Sequence, residues 1–181
     1  MNNNLIITIG REYGTGGREI GQKLALRLGV PFYDRELITR AAKKTGFDEK
    51  LFEQLDKRAT NSFLYSLTMF GSVGLNGMSL TDQLYLAQSN IIREMAEDSS
   101  CVIVGRCADH VLRDFPNKFD FFIHGSIEDR VKRVQTCGDY VIEGKTPEAA
   151  LEKMDKQRST YYNYYTGKVW GKCDHYDMCI N

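Results

Sequence analysis

The chain has 181 residues, of which 42% are hydrophobic and 27% are charged, a composition typical of a globular protein. Its 24 Lys and Arg residues balance 24 Asp and Glu residues, which excludes a general nucleic-acid coat because that binding needs an excess of positive charge. No run approaches the roughly 20 apolar residues that a membrane-spanning helix needs. We therefore expect one domain over residues 1–181 in the cytoplasm, with neither a nucleic acid nor a membrane as its partner.

The N-terminal segment predicts a strand, a glycine-rich loop and a helix. Residues 5–9 form a short apolar run of the kind found in strands that are buried on both faces of a parallel sheet. Glycines follow at once. Ile20, Leu24 and Leu28 then repeat every four residues before Gly29, and glycine is favoured just past a helix end.

Strands and helices alternate through the rest of the chain. Thr146 and Pro147 are typical of a helix start, as a capping residue followed by proline at the first helical position. The alternation predicts an α/β fold in which helices wrap both faces of a parallel sheet. The second predicted strand ends near residue 34, and three more lie at 101–105, 119–124 and 176–180. The predicted helices after the first one lie at 36–44, 48–58, 79–97, 127–134 and 146–154.

Residues 59–92 form the most unusual segment, because Asp82 is its one charged residue. One interpretation is a buried helix pair joined by a turn at Gly71, Gly74 and Gly77. The other is a subunit contact or a mobile substrate flap, since a large uncharged surface on a soluble protein usually marks an interaction site. A homo-oligomer formed through 59–92 is therefore an open alternative.

The five cysteines form no Cys-x-x-Cys pair and leave an odd thiol, which favours reduced, packed cysteines over a disulfide framework. Cys173, Asp174 and His175 are neighbours, but tetrahedral zinc needs four ligands and only His110 and His124 remain as histidines. We therefore predict no metal site built from the protein alone.

The loop at residues 10–21 reads GREYGTGGREIG. Closely spaced glycines let backbone amides converge on an anion, and the following helix adds its N-terminal N–H groups. The dinucleotide pattern GxGxxG matches at two of its three glycines, and the P-loop pattern GxxxxGK[ST] has Gly17 in the lysine slot and Arg18 in the Ser/Thr slot. With a shift of one residue, Arg18 would replace the lysine. We predict a phosphate-binding loop formed by Gly14, Thr15, Gly16, Gly17 and Arg18, with a structural strand-to-helix turn as the alternative.

Further blocks resemble a known family. VPFYDREL, VIVGRCADHVL and RSTYYNYYTGKVWG followed by YDMCIN resemble, together with the glycine loop and over nearly the whole chain, the cytidylate-kinase-like family of P-loop phosphotransferases. The resemblance implies a nucleoside-monophosphate kinase that transfers the γ-phosphoryl group of ATP to CMP or dCMP with Mg²⁺. The implied parts are a core at 1–34 and 99–125, a monophosphate-binding helical region at 35–98, a lid at 126–172 and a last strand at 176–180.

Some departures from the family leave other functions open. The P-loop lysine and hydroxyl normally hold the terminal phosphates and Mg²⁺, so their absence also fits a nucleotide-binding protein with weak or no kinase activity. Cys107 replaces the aspartate of the Gly-Arg-Asp motif in true cytidylate kinases, which leaves open a kinase of a small non-nucleotide acceptor. The family also continues past the last strand into a final helix, so we expect either a missing C-terminal segment or a sheet that lacks one cover.

Phosphoryl transfer needs cations that converge on phosphate oxygens from separate segments. Arg106 directly follows a buried strand, at the end of a parallel sheet where ligands bind. The resemblance assigns it, with Asp34 and Arg40, to the monophosphate. Asp34 as the cap of the following helix is an equally good interpretation.

The resemblance also assigns residues to the lid. Arg130 and Arg133 lie one helical turn apart, and either would otherwise be a solvated surface cation. Asp155 opens the lid element DKQR, whose Arg158 is the strongest single candidate because a guanidinium suits phosphate oxygens better than an amine. The predicted catalytic residues are Arg18, Arg158 and Lys168.

Residues 161–170 hold four of the ten tyrosines and the only tryptophan. Aromatic rings beside cations can stack on a base. One such cluster without a wider basic field is more often packing, so we expect some of these tyrosines to contact the core.

Overall fold

The computed structural model describes residues 3–34, 40, 78–137 and 146–181. Within these residues five strands form one sheet, in the order β2-β3-β1-β4-β5, and all neighbours are parallel. The predicted α/β fold with a parallel sheet is therefore confirmed. The strands are β1 (Ile6–Arg11), β2 (Phe32–Tyr33), β3 (Cys101–Val104), β4 (Lys118–Ile123) and β5 (Met178–Ile180).

The helices begin and end at residues suited to those positions. Ser79, Ser126 and Thr146 each begin a helix by accepting a hydrogen bond from the backbone N–H three residues later. Gly29 ends the first helix in the left-handed region, with a φ of 67°. The described helices are α1 (Gly17–Leu28), α2 (Leu80–Asp98), α3 (Ala108–Val111), α4 (Ile127–Thr136) and α5 (Pro147–Thr166), and a short 3-10 turn at Cys173–His175 precedes β5.

Alternate residues of the central strands face two different cores. Ile6 belongs to the core that includes Ile92 of α2, and Ile9 belongs to the core that includes Ala25 of α1. Burial on both faces explains why β1 is apolar without polar alternation. Each fully buried isoleucine side chain contributes about 1.5–3 kcal/mol to stability, so this pattern holds the sheet between its helices.

A buried polar contact fixes the pairing of β1 with β4. The Thr8 hydroxyl donates to the Asp120 carboxylate at 2.6 Å, and the two residues are direct partners in the parallel register. Lys118 forms an ion pair with the same carboxylate. Asp177 accepts the Asp120 N–H at 2.7 Å, and its own N–H donates to the Asp120 carbonyl at 2.8 Å. These bonds tie the segment before β5 to β4 and satisfy groups that would be costly to bury alone.

The last long helix differs most from its predicted length. It was expected to end at Met154, but α5 continues to Thr166 and ends at Gly167, which has a φ of 68°. The residues beyond Met154 are mixed polar and aromatic, without a simple apolar period. The extension places Arg158 and the tyrosine cluster on a helix. The short helix α3 was not predicted.

Some predicted elements lie outside the described residues. These are the helices at 36–44 and 48–58, apart from Arg40, and the part of the 59–92 segment before residue 78. From residue 78 onward the segment leads into α2, where Leu84, Ile91 and Ile92 are buried, so this part is an ordinary core helix. No helix in the described part of the chain is long and apolar enough to cross a membrane.

Candidate active site

A cavity of about 200 Å³ lies at the carboxyl ends of β1 and β3. One wall comes from the end of β1 and the turn after β3, and another comes from α5 and the aromatic residues that follow it. This is the edge of a parallel α/β sheet at which ligands bind. The charged side chains in its lining are Arg11, Arg106, Arg158, Asp34 and Asp109.

The turn after β3 has an unusual backbone. Gly105, Arg106 and Cys107 have φ values of 78°, 61° and 56°, so two residues other than glycine adopt the left-handed region. Such strain concentrates at functional sites. The turn brings Arg106 into the cavity lining, as predicted for the residue after this strand. Cys107 is 4% exposed, and burial raises the pKa of its thiol, so it is a neutral packed group.

Arg11 is a cavity residue that was not predicted from the sequence. The predicted strand ended at Ile9, but β1 continues through Arg11, which pairs with Ile123 of β4 and lines the cavity. Burial and the neighbouring Arg158 lower the pKa of Arg11 to about 9, whereas the carboxylate of Asp34 acts to raise it. The guanidinium is still a cation at neutral pH, in surroundings that favour a bound anion. An arginine directly after a buried strand was the available signal, as it was for Arg106.

The strongest predicted candidate, Arg158, does lie in the cavity lining. Its Nη1 atom donates to the main-chain oxygen of Arg11 at 3.0 Å. Its guanidinium carbon lies 5.0 Å from the centre of the Tyr13 ring, a favourable cation–π distance. Helix α5 thus holds Arg158 against the end of β1.

The glycine loop has the geometry of an anion site at a helix N-terminus. Gly14 and Gly16 have φ values of 84° and 78°, which side chains disfavour. Gly16 precedes α1 and offers no side-chain cap to the first N–H groups of that helix. The Thr15 hydroxyl donates to the main-chain oxygen of Glu12 at 2.9 Å and so stabilises the loop itself.

The predicted monophosphate residues have different positions. Asp34 lines the cavity and accepts a hydrogen bond of 2.9 Å from Nε of Arg18. The Arg18 side chain is 51% exposed and is not part of the cavity lining. The guanidinium carbon of Arg40 lies 5.6 Å from the centre of the Tyr33 ring. Arg18 is thus paired with Asp34 and Arg40 lies over Tyr33, and neither arginine is part of the cavity lining.

Two predicted lid residues brace the glycine loop instead. Arg130 donates to the Asp155 carboxylate at 2.5 Å and to the Tyr13 carbonyl at 3.2 Å, while Asp155 accepts the Tyr13 N–H at 2.6 Å. The Arg130 side chain is 10% exposed, so the interpretation as a solvated surface cation is wrong. Glu12 lies 3.6 Å from Nε of Arg130. Arg130 and Asp155 therefore fix the backbone of the glycine loop at Tyr13.

Arg133 and Lys168 lie outside the cavity lining. Arg133 forms an ion pair with Glu19 and packs over the loop, since a Cβ atom at Gly16 would lie 2.6 Å from its guanidinium carbon. Lys168 follows the end of α5, where its N–H donates to the Thr166 hydroxyl at 3.1 Å. The catalytic role of Lys168 stays a prediction.

Among the tyrosines of α5, some pack against other helices and some line the cavity. Tyr165 stacks on Tyr85 with ring centres 3.9 Å apart and donates to Asp82 at 3.1 Å, which agrees with the packing expected from sequence. Tyr162 lines the cavity and donates to the Asp109 carboxylate at 2.6 Å. Burial raises the pKa of Asp109, although this hydrogen bond acts in the opposite direction. Asp109 is a second acidic cavity residue that the sequence analysis missed.

These features define a P-loop kinase fold with a cationic cavity at the edge of its sheet. Shikimate kinase from Bacteroides thetaiotaomicron, 13% identical, shares the fold with a TM-score of 0.54 over 98% of this chain and 86% of that chain. An uncharacterized protein from Eubacterium ventriosum is 35% identical, with a TM-score of 0.67 over 98% of this chain and 88% of that chain. The chain belongs to the cytidylate kinase-like family, whose model matches residues 6–181. Among curated proteins there is no match. Membership of a kinase family supports a phosphotransferase.

Proposed function

We propose that the protein transfers the γ-phosphoryl group of ATP to a nucleoside monophosphate, with CMP or dCMP as the preferred acceptor. The observation that carries this proposal is the cavity, in which Arg11, Arg106 and Arg158 line one space at the end of the sheet. Guanidinium groups bind phosphate oxygens through paired hydrogen bonds. A cavity with three of them suits phosphate-bearing substrates better than uncharged ones.

In the proposed reaction an oxygen of the acceptor phosphate attacks the γ-phosphorus of ATP. The bond from that phosphorus to the bridging oxygen of ADP breaks, so the products are ADP and a nucleoside diphosphate. Charge spreads over the oxygens of the transferring group, and catalysis is mainly positioning and electrostatic stabilisation. We assign Arg158 to the transferring group and Arg106 to the acceptor phosphate, with the glycine loop and the start of α1 on the ATP phosphates.

The aromatic part of the cavity supports a nucleotide as the acceptor. Tyr161, Tyr162, Trp170 and Tyr176 all contribute to its lining. Aromatic rings offer a stacking surface to a base, and stacking is tolerant of base identity. The choice of cytosine comes from the cytidylate kinase-like family.

The described residues do not fit a magnesium site held by the protein itself. Arg18 occupies the slot of the P-loop hydroxyl, the Thr15 hydroxyl donates to Glu12, and Asp34 is paired with Arg18. The described residues contain no group of three or more His, Cys, Asp or Glu side chains that could hold a metal ion. We therefore treat Mg²⁺ as part of the nucleotide substrate, since Mg²⁺ in such enzymes is bound largely by phosphates.

A second candidate is a kinase of a small non-nucleotide acceptor, which Cys107 favours. A carboxylate is the usual acceptor for the amino group of cytosine. The chain has a buried neutral thiol at Cys107, where true cytidylate kinases have the aspartate of Gly-Arg-Asp. Asp109, in the first turn of α3 after Cys107, is an acidic group in the cavity lining.

An acceptor panel tests these alternatives. ADP formation is measured with ATP, Mg²⁺ and each of CMP, dCMP, UMP, AMP and small hydroxy acids. We expect CMP or dCMP to give the highest kcat/KM. Arg106→Ala should raise the KM for the acceptor about tenfold or more and change the KM for ATP by less than about twofold. Arg27→Ala, which removes an exposed cation on α1, is the matched control and should leave both constants unchanged.

The other outcomes each decide against the proposal. Turnover with hydroxy acids alone would favour the second candidate. ATP binding by calorimetry with no turnover for any acceptor would instead favour a nucleotide-binding protein without kinase activity.

A further inference from the structure

Two positions of the glycine loop have exchanged their residue types relative to the P-loop pattern GxxxxGK[ST]. When Gly16 is placed on the second glycine of the pattern, the first glycine falls on Arg11 and the lysine falls on Gly17. The chain therefore has an arginine where the pattern has glycine, and a glycine where the pattern has its cation. One positively charged side chain has been lost and one gained within the same loop.

The structure shows that these two positions face each other. A Cβ atom at Gly17 would lie 2.8 Å from Cβ and 2.9 Å from Cγ of Arg11. Both are atoms near the backbone, so the stem of Arg11 cannot easily move away. Gly17 is the first residue of α1 and has no positive φ, so its backbone alone would accept another residue. The side chain of Arg11 therefore explains why position 17 is glycine.

The guanidinium of Arg11 reaches from β1 to the wall of the cavity. A Cβ atom at Gly105 would collide with its Nη1 atom, so the guanidinium lies directly against the turn after β3. Among the described residues, the strongest electrostatic effects on it come from the cations Arg158, Arg106 and Arg18 and from the carboxylate of Asp34. Three cations thus act on this partly buried guanidinium, and a bound anion such as phosphate would offset their positive charge.

We propose that Arg11 supplies, from strand β1, the positive charge that the P-loop lysine would supply to the terminal phosphates of the nucleotide. Gly17 leaves the space that the stem of Arg11 needs. The inference rests on the proposed ATP-dependent phosphotransfer and names the residue that compensates for the missing lysine.

The other cations near the loop are less suited to this role. Nε of Arg18 donates to Asp34. The Arg18 side chain is half exposed to solvent and is not part of the cavity lining. Arg133 approaches the loop at Gly16, but it belongs to α4 and is paired with Glu19. Arg11 is the one of these three arginines that lines the cavity.

Reciprocal substitution tests the exchange directly. The variants are Arg11→Gly, Gly17→Lys and the double variant Arg11→Gly/Gly17→Lys, with Arg27→Ala as the control for loss of an exposed cation. ADP affinity is measured by calorimetry, kcat with the best acceptor, and thermal unfolding for each protein. Arg11→Gly should weaken ADP binding about tenfold and lower kcat about 100-fold, the size of effect seen when one donor to a transition-state oxygen is removed. Gly17→Lys alone should also be impaired, because the lysine collides with the stem of Arg11.

The double variant is the decisive protein. The proposal predicts that it regains at least about tenfold in kcat and most of the ADP affinity relative to Arg11→Gly, as expected for two coupled positions. A folded double variant no better than Arg11→Gly, or an Arg11→Gly protein with wild-type affinity and kcat, would overturn the proposal. Wild-type protein that binds ADP but uses no monophosphate would contradict the acceptor assignment alone, since the affinity comparison still tests Arg11. Wild-type protein that binds no ADP would overturn both.

Discussion

Nη1 of Arg158 donates a hydrogen bond of 3.0 Å to the main-chain oxygen of Arg11, across 147 residues of sequence. The bond fixes the middle of α5 to the end of β1 and brings two arginines into one cavity lining. Like charges in a partly buried space are unfavourable unless an opposite charge joins them. Asp34 and Asp109 line the same cavity, and the phosphate ligand that we propose would offset the remaining positive charge.

Arg158→Lys should lower kcat by about 100-fold or more, because a lysine keeps the charge but loses the paired donors of the guanidinium. Its hydrogen bond to the Arg11 carbonyl and its position over the Tyr13 ring depend on the planar group as well. Steady-state kinetics under saturating ATP check this. A lysine variant with wild-type kcat would show that Arg158 only positions the helix.

Asp155→Ala should lower the free energy of unfolding by about 3 kcal/mol, since it leaves the buried Arg130 without its main carboxylate. The double variant Arg130→Met/Asp155→Ala should lose clearly less than the sum of the two single losses. Urea unfolding measures all three proteins. Lys23→Ala, which breaks an exposed pair with Glu19, is the control and should change stability by less than about 0.5 kcal/mol. Additive losses would contradict a direct pair between Arg130 and Asp155.

The raised pKa of Asp109 predicts how the free energy of unfolding changes with pH. Burial raises its pKa in the folded protein above the ordinary value of 3.8, so between these two pKa values the folded state binds more protons than the unfolded state. The free energy of unfolding should therefore fall as the pH rises through the folded pKa. Asp109→Asn keeps an oxygen that can accept from Tyr162 and has no proton to lose.

Unfolding in urea from about pH 4 to about pH 8 checks this effect of Asp109. The asparagine variant should lack this fall and should be more stable than wild type at neutral pH. Asp114→Asn, at a side chain that is 69% exposed, should follow the wild-type curve. An Asp109→Asn protein whose stability follows that same curve would contradict the raised pKa.

The sequence predicted the sheet well, because its strands are short apolar runs buried on both faces, as in residues 101–104. Arg106 and Arg158, which were predicted as site residues from a strand end and a family motif, both line the cavity, and their roles toward phosphate stay predictions. The burial of Arg130 could not be predicted from the sequence. It depends on contacts of its side chain with Tyr13 and Asp155, which lie far from it in the sequence and meet it only in the folded protein.

Arg11 was missed for a different reason. The P-loop pattern directs attention to cations at the end of the glycine loop, whereas this arginine stands at its start. Its contact with Gly17 depends on how the strand and the helix pack, which no periodicity reveals. The length of α5 was also missed, because its second half follows no simple apolar period.

The proposed function is tested by the transfer of labelled phosphate from [γ-³²P]ATP, with the products separated and identified. With CMP or dCMP we expect labelled CDP or dCDP, formed together with an equal amount of ADP. Arg106→Ala should require a much higher acceptor concentration to form it. Release of labelled inorganic phosphate alone, or no labelled product with any monophosphate, would contradict the proposal that this protein is a nucleoside-monophosphate kinase.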